Sequence, residues 1–314
     1  MTARIAIMVS ILGLVLTACS TSSDEPTTTL LTSSEGPVFV GADGVGSDVS
    51  DTSRIVVLNG DLVEVIFALG AGDRVVGRDL TTTYPPEALA VPDVGLGRIL
   101  NAEAVIGLAP TLVIGDTQIE PLSAIEQIRA AGIPVVILDL QSTLPGVSRK
   151  IEEVADILGL DDEGVVLARE VEADIQAALD LAAQAPDSPR VGYMYVRGPE
   201  TLLMFGNGMP THFLIEAAGG IDAFGEAGVT FAQPLDAELL VAAEPEVLIT
   251  PIEGFDLIGG IDAFLALPGV SDTPAGAARA VITYDEALFL GMGPRTGEAL
   301  MQLVLDLHPE LATP

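Results

Sequence analysis

A segment of this chain occurs twice, and the repetition limits the folds open to it more than any other feature. Asn101-Ala-Glu-Ala-Val-Ile-Gly-Leu-Ala-Pro-Thr-Leu-Val-Ile114 returns as Asp236-Ala-Glu-Leu-Leu-Val-Ala-Ala-Glu-Pro-Glu-Val-Leu-Ile249. In each copy an amphipathic stretch stops before a proline and gives way to an apolar run, the pattern of a helix handing over to a buried strand. A looser echo sets Ala68-Leu-Gly-Ala-Gly-Asp73 against Glu216-Ala-Ala-Gly-Gly-Ile221. Two echoes in one order, on opposite sides of a long helical stretch, predict two related lobes.

The rest of the chain fits that frame. The apolar runs 55–58, 112–114 and 135–137, with Arg74-Val-Val-Gly77, read as strands. Amphipathic stretches at 61–69, 102–108 and 122–131 read as helices. Such alternation predicts a parallel sheet covered on both faces. Residues 144–183 then keep a helical period through Val147, Ile151, Val154, Ile157, Val171, Ile175 and Leu179, with interruption expected at Gly159 and Gly164. After Pro186 and Pro189, residues 191–196 resume the strand pattern. The expected fold class is α/β: two Rossmann-like lobes with parallel sheets, joined by a long backbone helix, with a ligand cleft between them. The lobes fall at 54–141 and 189–314, and the helical spine at 142–188.

The N-terminus adds an address. Arg4 precedes an apolar run from Ile5 to Leu16, shorter than the roughly 18–20 residues that span a bilayer. Leu16-Thr17-Ala18-Cys19 follows, giving the charged, apolar, small-residue order of an export signal. Cys19 is the single cysteine, so no disulfide can form within the chain. The tetrapeptide resembles the lipobox of bacterial lipoproteins, which implies a leader over 1–19 and a lipid on Cys19. The location so implied is extracytoplasmic, tethered to the cell membrane. An ordinary leader with an incidental cysteine is the alternative. Residues 20–53, rich in Ser, Thr, Gly and Asp, read as a flexible linker.

Composition excludes several functions. Thirteen basic against forty-five acidic residues leave a net charge of −32, which argues against nucleic acid and anionic lipid as partners of the surface. Lys150 is the only lysine, and two histidines are too few for a His-rich zinc site. Neither a Gly-x-Ser-x-Gly elbow nor a phosphate loop is present, and no cysteine nucleophile, so the sequence is not read as an enzyme. A purely structural surface lipoprotein is a further alternative, which a deep cleft would disfavour.

Particular strings carry a family resemblance over residues 54–312: Val57-Leu-Asn-Gly-Asp-Leu-Val-Glu-Val-Ile-Phe-Ala-Leu-Gly70, Thr82-Thr-Tyr-Pro-Pro-Glu87, Val94-Gly-Leu-Gly-Arg98, Leu267-Pro-Gly-Val270 and Leu290-Gly-Met-Gly-Pro-Arg295. The chain resembles the helical-backbone substrate-binding proteins of bacterial ABC importers, most of all their haem-binding branch. The resemblance implies partnership with a permease and its ATPase, a monomeric receptor, and haem as transported ligand rather than permanent cofactor. Ferric-siderophore or cobalamin binding is the alternative within the family.

Tyr195 and Arg197, two apart on one strand, point to one side. Their pairing resembles the Tyr-x-Arg motif, which makes Tyr195 the expected iron ligand. Arg197 is expected to favour its phenolate. A half-buried tyrosine beside a surface arginine is the bland alternative. Leu96 stands where haem-binding relatives carry Tyr or His, and leucine cannot ligate iron. Arg98 is a candidate for a propionate; Tyr84, Met209 and Met292 are expected at the cleft. His212 is read as a surface residue opposite Glu64, and His308 as structural or exposed. By resemblance Glu64, with Glu216 in the second lobe, would dock on the permease.

Overall fold

The computed structural model describes residues 37–312. Two strands, β1 (Val38–Val40) and β2 (Gly46–Asp48), form an antiparallel pair within the stretch expected to be linker. Their packing explains the difference: Val49 is buried, the Ser47 hydroxyl donates to Val135 O at 2.8 Å, and Ala42 N to Ile137 O at 2.7 Å. Order therefore begins before residue 54.

The first lobe runs β3 (Ile55–Val57), α1 (Gly60–Ala68), β4 (Val75–Arg78), α2 (Ala102–Gly107), β5 (Leu112–Asp116), α3 (Leu122–Ala130) and β6 (Val135–Leu138). Its sheet, in the order β4-β3-β5-β6, is parallel throughout. The fully buried runs Ile55–Val57 and Leu112–Asp116 are what a sheet covered on both faces requires.

The spine is two helices rather than one. α4 (Leu144–Leu158) ends at Gly159, whose left-handed backbone (φ 66°) turns the chain into α5 (Asp161–Ala182). Gly164 lies inside α5 instead of breaking it. A Cβ there would sit 2.4 Å from that of Ala155, so the missing side chain is what lets the two helices touch. At 22 residues α5 spans about 33 Å.

The second lobe comprises β7 (Arg190–Val196), β8 (Leu202–Phe205), α6 (Pro210–Ala217), β9 (Ile221–Asp222), α7 (Ala223–Glu226), β10 (Ala232–Pro234), α8 (Ala237–Ala242), β11 (Val247–Pro251), α9 (Ile252–Ile258), α10 (Ile261–Leu265), α11 (Pro274–Ala278), β12 (Val281–Tyr284), α12 (Glu286–Leu290) and α13 (Thr296–Leu307). Its sheet is mixed, not parallel. β7, β11, β12 and β9 run parallel, whereas β8 pairs antiparallel with β7 and with β10. Removing the β8–β10 addition leaves the first lobe's pattern, with β7 in the role of β3 and β11 in that of β5.

The repeat holds at atomic detail. Asn101 caps α2 and Asp236 caps α8; Ala109 and Glu244, each before its proline, share φ 48°. Arg54, just before β3, donates to Leu108 O and Ala109 O; Arg190, opening β7, donates to Ala243 O. In the looser pair, Gly70 and Gly219 end α1 and α6 in the left-handed region (φ 77° and 85°). That registers Phe213, one residue past His212, against Glu64. One apolar cluster runs through both lobes and the spine, joining Val57, Ile66, Ile151, Val171, Tyr193, Ile249, Phe289 and Leu300, and each lobe has a further cluster on the other face of its sheet.

Candidate functional site

Open α/β sheets place their ligand sites beyond the carboxyl ends of their parallel strands, and β7 ends at Val196. The second lobe's contribution is built on the tip of β7. Tyr195 is half-buried, its ring stacked on Phe205 with centroids 5.1 Å apart and planes 9° from parallel. Phe205 belongs to β8, so the antiparallel addition supplies the tyrosine's backing. Two charged groups meet at its oxygen. The phenol donates to Glu286 Oε1 at 3.0 Å and accepts from Arg197 Nη1 at 3.2 Å; Arg197 and Glu286 lie 3.7 Å apart. Glu286 opens α12 directly after β12, which carries its carboxylate to the end of the sheet.

This arrangement corrects the expected electrostatics. Burial pushes the Tyr195 phenol above its ordinary value, and the Glu286 carboxylate adds to the rise. Arg197 works in the opposite sense but does not prevail. Without a ligand Tyr195 is a neutral phenol.

In the first lobe a buried polar network gathers at the carboxyl ends of β3, β4 and β5. Asn59 Nδ2 donates to Asp116 Oδ2 at 2.5 Å. The Thr81 hydroxyl donates to Asp79 Oδ1 at 2.7 Å and accepts from Gly60 N at 2.8 Å. Burial raises both carboxyls, that of Asp79 to about 6. Arg98 is exposed, and its recorded partner is the neutral amide of Gln118. No carboxylate among the described residues forms an ion pair with it, so its charge is open to a ligand anion. Leu96, half-buried, precedes the short turn Gly97–Ile99 that carries Arg98. Leu80 and Leu140, two residues past β4 and β6, and Ile99, beside Arg98, are exposed apolar side chains.

Other expected residues lie elsewhere. Met292 is 1% exposed and packed in the core, so it is no cleft residue; only its carbonyl meets a polar partner, Lys150. Met209 precedes α6 and packs, half-buried, against the same core. Tyr84 is exposed at one side while the Arg295 guanidinium covers its ring, 3.7 Å from the centroid.

Glu64 is not a surface carboxylate. It is 7% exposed and binds Arg295 through both oxygens, at 3.1 and 2.8 Å, and through Arg295 N at 3.2 Å. One turn earlier on α1, Asp61 pairs with Lys150, whose ammonium also donates to Gly291 O and Met292 O at 3.0 and 3.1 Å. Together the two pairs fasten the first lobe to the segment that leaves the second. The only lysine falls one residue before Ile151 on the apolar face of α4, a sequence signal of a buried, paired charge.

Glu216 is exposed, with one oxygen accepting from Asp222 N. His212 is half-buried with Nδ1 2.9 Å from Asp222, and His308 is fully buried with Nε2 3.1 Å from Ala218 O. Neither approaches Tyr195 in any recorded contact. Cys19 lies outside the described residues. Among the described residues, no three His, Cys, Asp or Glu side chains are placed to hold a metal ion.

The family model described as periplasmic binding protein matches residues 55–288. The apo periplasmic heme-binding protein RhuT from Roseiflexus sp. RS-1 is 44% identical with TM-score 0.80, over 83% of this chain and 100% of that one. The heme-binding protein HmuT is 34% identical with TM-score 0.82, over 86% of this chain and 89% of that one. HmuT structures include alanine variants of a histidine, of a tyrosine, and of an arginine two residues after that tyrosine. The HmuT histidine precedes its tyrosine by the interval that separates Leu96 from Tyr195. A cobalamin-binding protein of Halobacterium salinarum is 27% identical over 268 residues, 82% of this chain and 70% of that protein.

Proposed function

The chain belongs to the periplasmic binding protein family, and from that membership we propose that it captures ferric haem between its lobes and delivers it to an ABC permease. The observation that carries this reading is the Tyr195–Arg197–Glu286 group at the tip of β7. A phenolate oxygen is a hard anionic donor suited to ferric iron, and haem proteins use tyrosine in this way. Arg197 supports the phenolate, Arg98 takes a propionate, and the exposed Leu80, Ile99 and Leu140 face the porphyrin. Leu96 leaves the opposite axial position without a ligand from that loop. The haem is cargo, bound and released, and the chain works outside the cytoplasm. Anchoring through a lipid on Cys19 and action as a monomer are parts of the same proposal.

Docking on the permease is reassigned. Glu64 is buried, so the carboxylates that meet the partner must come from elsewhere. Glu103 and Glu238 occupy the third position of the two repeat copies, one on each lobe, in the first turns of α2 and α8. Both are exposed. We infer that these two replace Glu64 and Glu216 as the contact residues.

The second reading, cobalamin, is favoured by Leu96 and by the Halobacterium relative. Separate calorimetric titrations with ferric haem and cyanocobalamin decide between them. Saturable one-to-one heat with haem, and none with cyanocobalamin, is the expected result. The reverse pattern overturns the haem assignment.

A further inference from the structure

Gln118, in the first lobe, is a residue that neither the family resemblance nor the sequence patterns bring forward. It lies two residues past the end of β5, half-buried between buried Asp116 and buried Ile119. Its backbone N donates to Asp116 Oδ1 at 2.8 Å, and the other oxygen of that carboxylate accepts from Asn59 Nδ2. Ile119 is 3% exposed, in an apolar cluster with Leu58, Val113 and Ile137. Both neighbours of Gln118 are therefore pinned. The turn that carries Arg98 is tied to the same place. Glu120 N donates to Gly97 O at 3.0 Å, and Leu100 N to Glu120 O at 2.7 Å. Gly97 packs so closely that a Cβ there would stand 2.8 Å from the carbonyl oxygen of Leu58, one residue past β3. Segments 97–100 and 116–120 are thus laced together beyond the carboxyl ends of β3 and β5. Across this joint the Arg98 guanidinium donates to the Gln118 amide oxygen.

Resting on the haem reading above, we propose that Gln118 is a positioning residue that aims Arg98 at a carboxylate of the cargo, and that this pair sets the propionate edge of the macrocycle against the first lobe. A neutral amide oxygen suits that role. It holds one arm of the guanidinium and leaves the full positive charge, with the remaining N–H donors, for an anion. A carboxylate in its place would hold Arg98 equally well and cancel its charge. The second lobe shows the contrast. Arg197 has the Glu286 carboxylate 3.7 Å away and donates to the Tyr195 phenol, so its charge is engaged within the protein. Arg98 is exposed and has no ion-pair partner among the described residues. In a chain with forty-five acidic residues, a ligand carboxylate meets little competition there.

Having to order a free arginine on binding weakens affinity by about two- to tenfold, and a further unit negative charge about 4–5 Å from the propionate by on the order of tenfold. The test measures binding of ferric haem and of its dimethyl ester to wild type, Gln118→Glu and Gln118→Ala. Gln118→Ala is also combined with Arg98→Ala. Gln118→Glu keeps shape and an acceptor but neutralises Arg98; Gln118→Ala leaves Arg98 charged and unaimed. Haem affinity is expected to fall about tenfold for Glu and about threefold for Ala. The dimethyl ester, which offers no propionate charge, should bind all three proteins alike. In the Arg98→Ala background Gln118→Ala should have no further effect, since the side chain it aims is gone.

Equal weakening of haem and dimethyl ester by Gln118→Ala overturns the proposal, by reducing Gln118 to loop scaffolding. A loss from Gln118→Ala that persists in the Arg98→Ala background does so too, as does unchanged haem affinity in Gln118→Glu. Each of these results leaves the haem reading standing, because wild type still binds ferric haem. If wild type binds neither haem nor its ester, the haem reading itself fails and this inference falls with it.

Discussion

Replacing Lys150 by methionine tests how firmly the two lobes are joined. The substitution keeps most of the side-chain volume and removes the ammonium. It strands the Asp61 carboxylate, whose side chain is 6% exposed and whose Oδ1 already lacks a partner. It also removes the donor from Gly291 O and Met292 O. Deleting one member of a buried ion pair costs about 3–5 kcal/mol, because the remaining charge stays buried and uncompensated. Near-complete burial of both partners means solvent screening does not shrink this figure. In a domain of this size each kcal/mol lowers Tm by roughly 2–4 °C, so a fall of roughly 6 °C at the least is expected. Urea titration and thermal scans followed by circular dichroism supply both numbers. The double variant Lys150→Met with Asp61→Asn buries no charge and should recover part of the loss. A single-variant loss below about 1 kcal/mol would refute the argument, by showing that the pair is solvated in solution.

Three further outcomes follow from the site. Asp79 has its carboxyl raised to about 6 by burial, so the folded state binds its proton more tightly than the unfolded chain does. Stability is fullest at the acid end and should decline by about 3 kcal/mol as pH rises from about 4 through 6; denaturant titrations across that window should show a flatter slope for Asp79→Asn. Arg98→Ala should weaken haem about tenfold, as loss of one charge-assisted hydrogen bond does, with little change for haem dimethyl ester, which offers no propionate charge. Glu103→Lys with Glu238→Lys should cut transporter-dependent haem uptake several-fold and leave haem affinity in solution unaltered.

Much of the fold could be read from residues alone because its signals are local and periodic. Apolar runs such as Ile55-Val-Val57 and helix stops such as Gly70 declare themselves within a few positions. The 101–114 and 236–249 copies also carried the pseudo-symmetry. The mixed second sheet was not legible, since Leu202–Phe205 shows nothing in its own residues to say which neighbour it joins or in which direction. The β1–β2 pair was hidden because three-residue strands in a Ser/Gly/Asp-rich stretch have too little period to register.

At the site the division runs along sequence distance. Tyr195 and Arg197 are two apart and were visible as a pair. Glu286 is 91 residues from Tyr195, and Arg295 is 231 from Glu64. Nothing in a chain of forty-five acids marks out those partners. The misassignment of Glu64 has this cause: a glutamate on a helix reads as exposed until its distant arginine is known. The matched placing of Glu103 and Glu238 lies in the repeat itself.

The visible absorption spectrum of the protein loaded with ferric haem, wild type beside Tyr195→Phe, tests the central claim most directly. Phenylalanine keeps the stack on Phe205 and removes only the oxygen that meets the iron. The account predicts tyrosinate charge-transfer bands in wild type, and in the variant their loss together with a fall in affinity of at least tenfold. Identical spectra and equal affinity would contradict it, because some other group would then hold the iron.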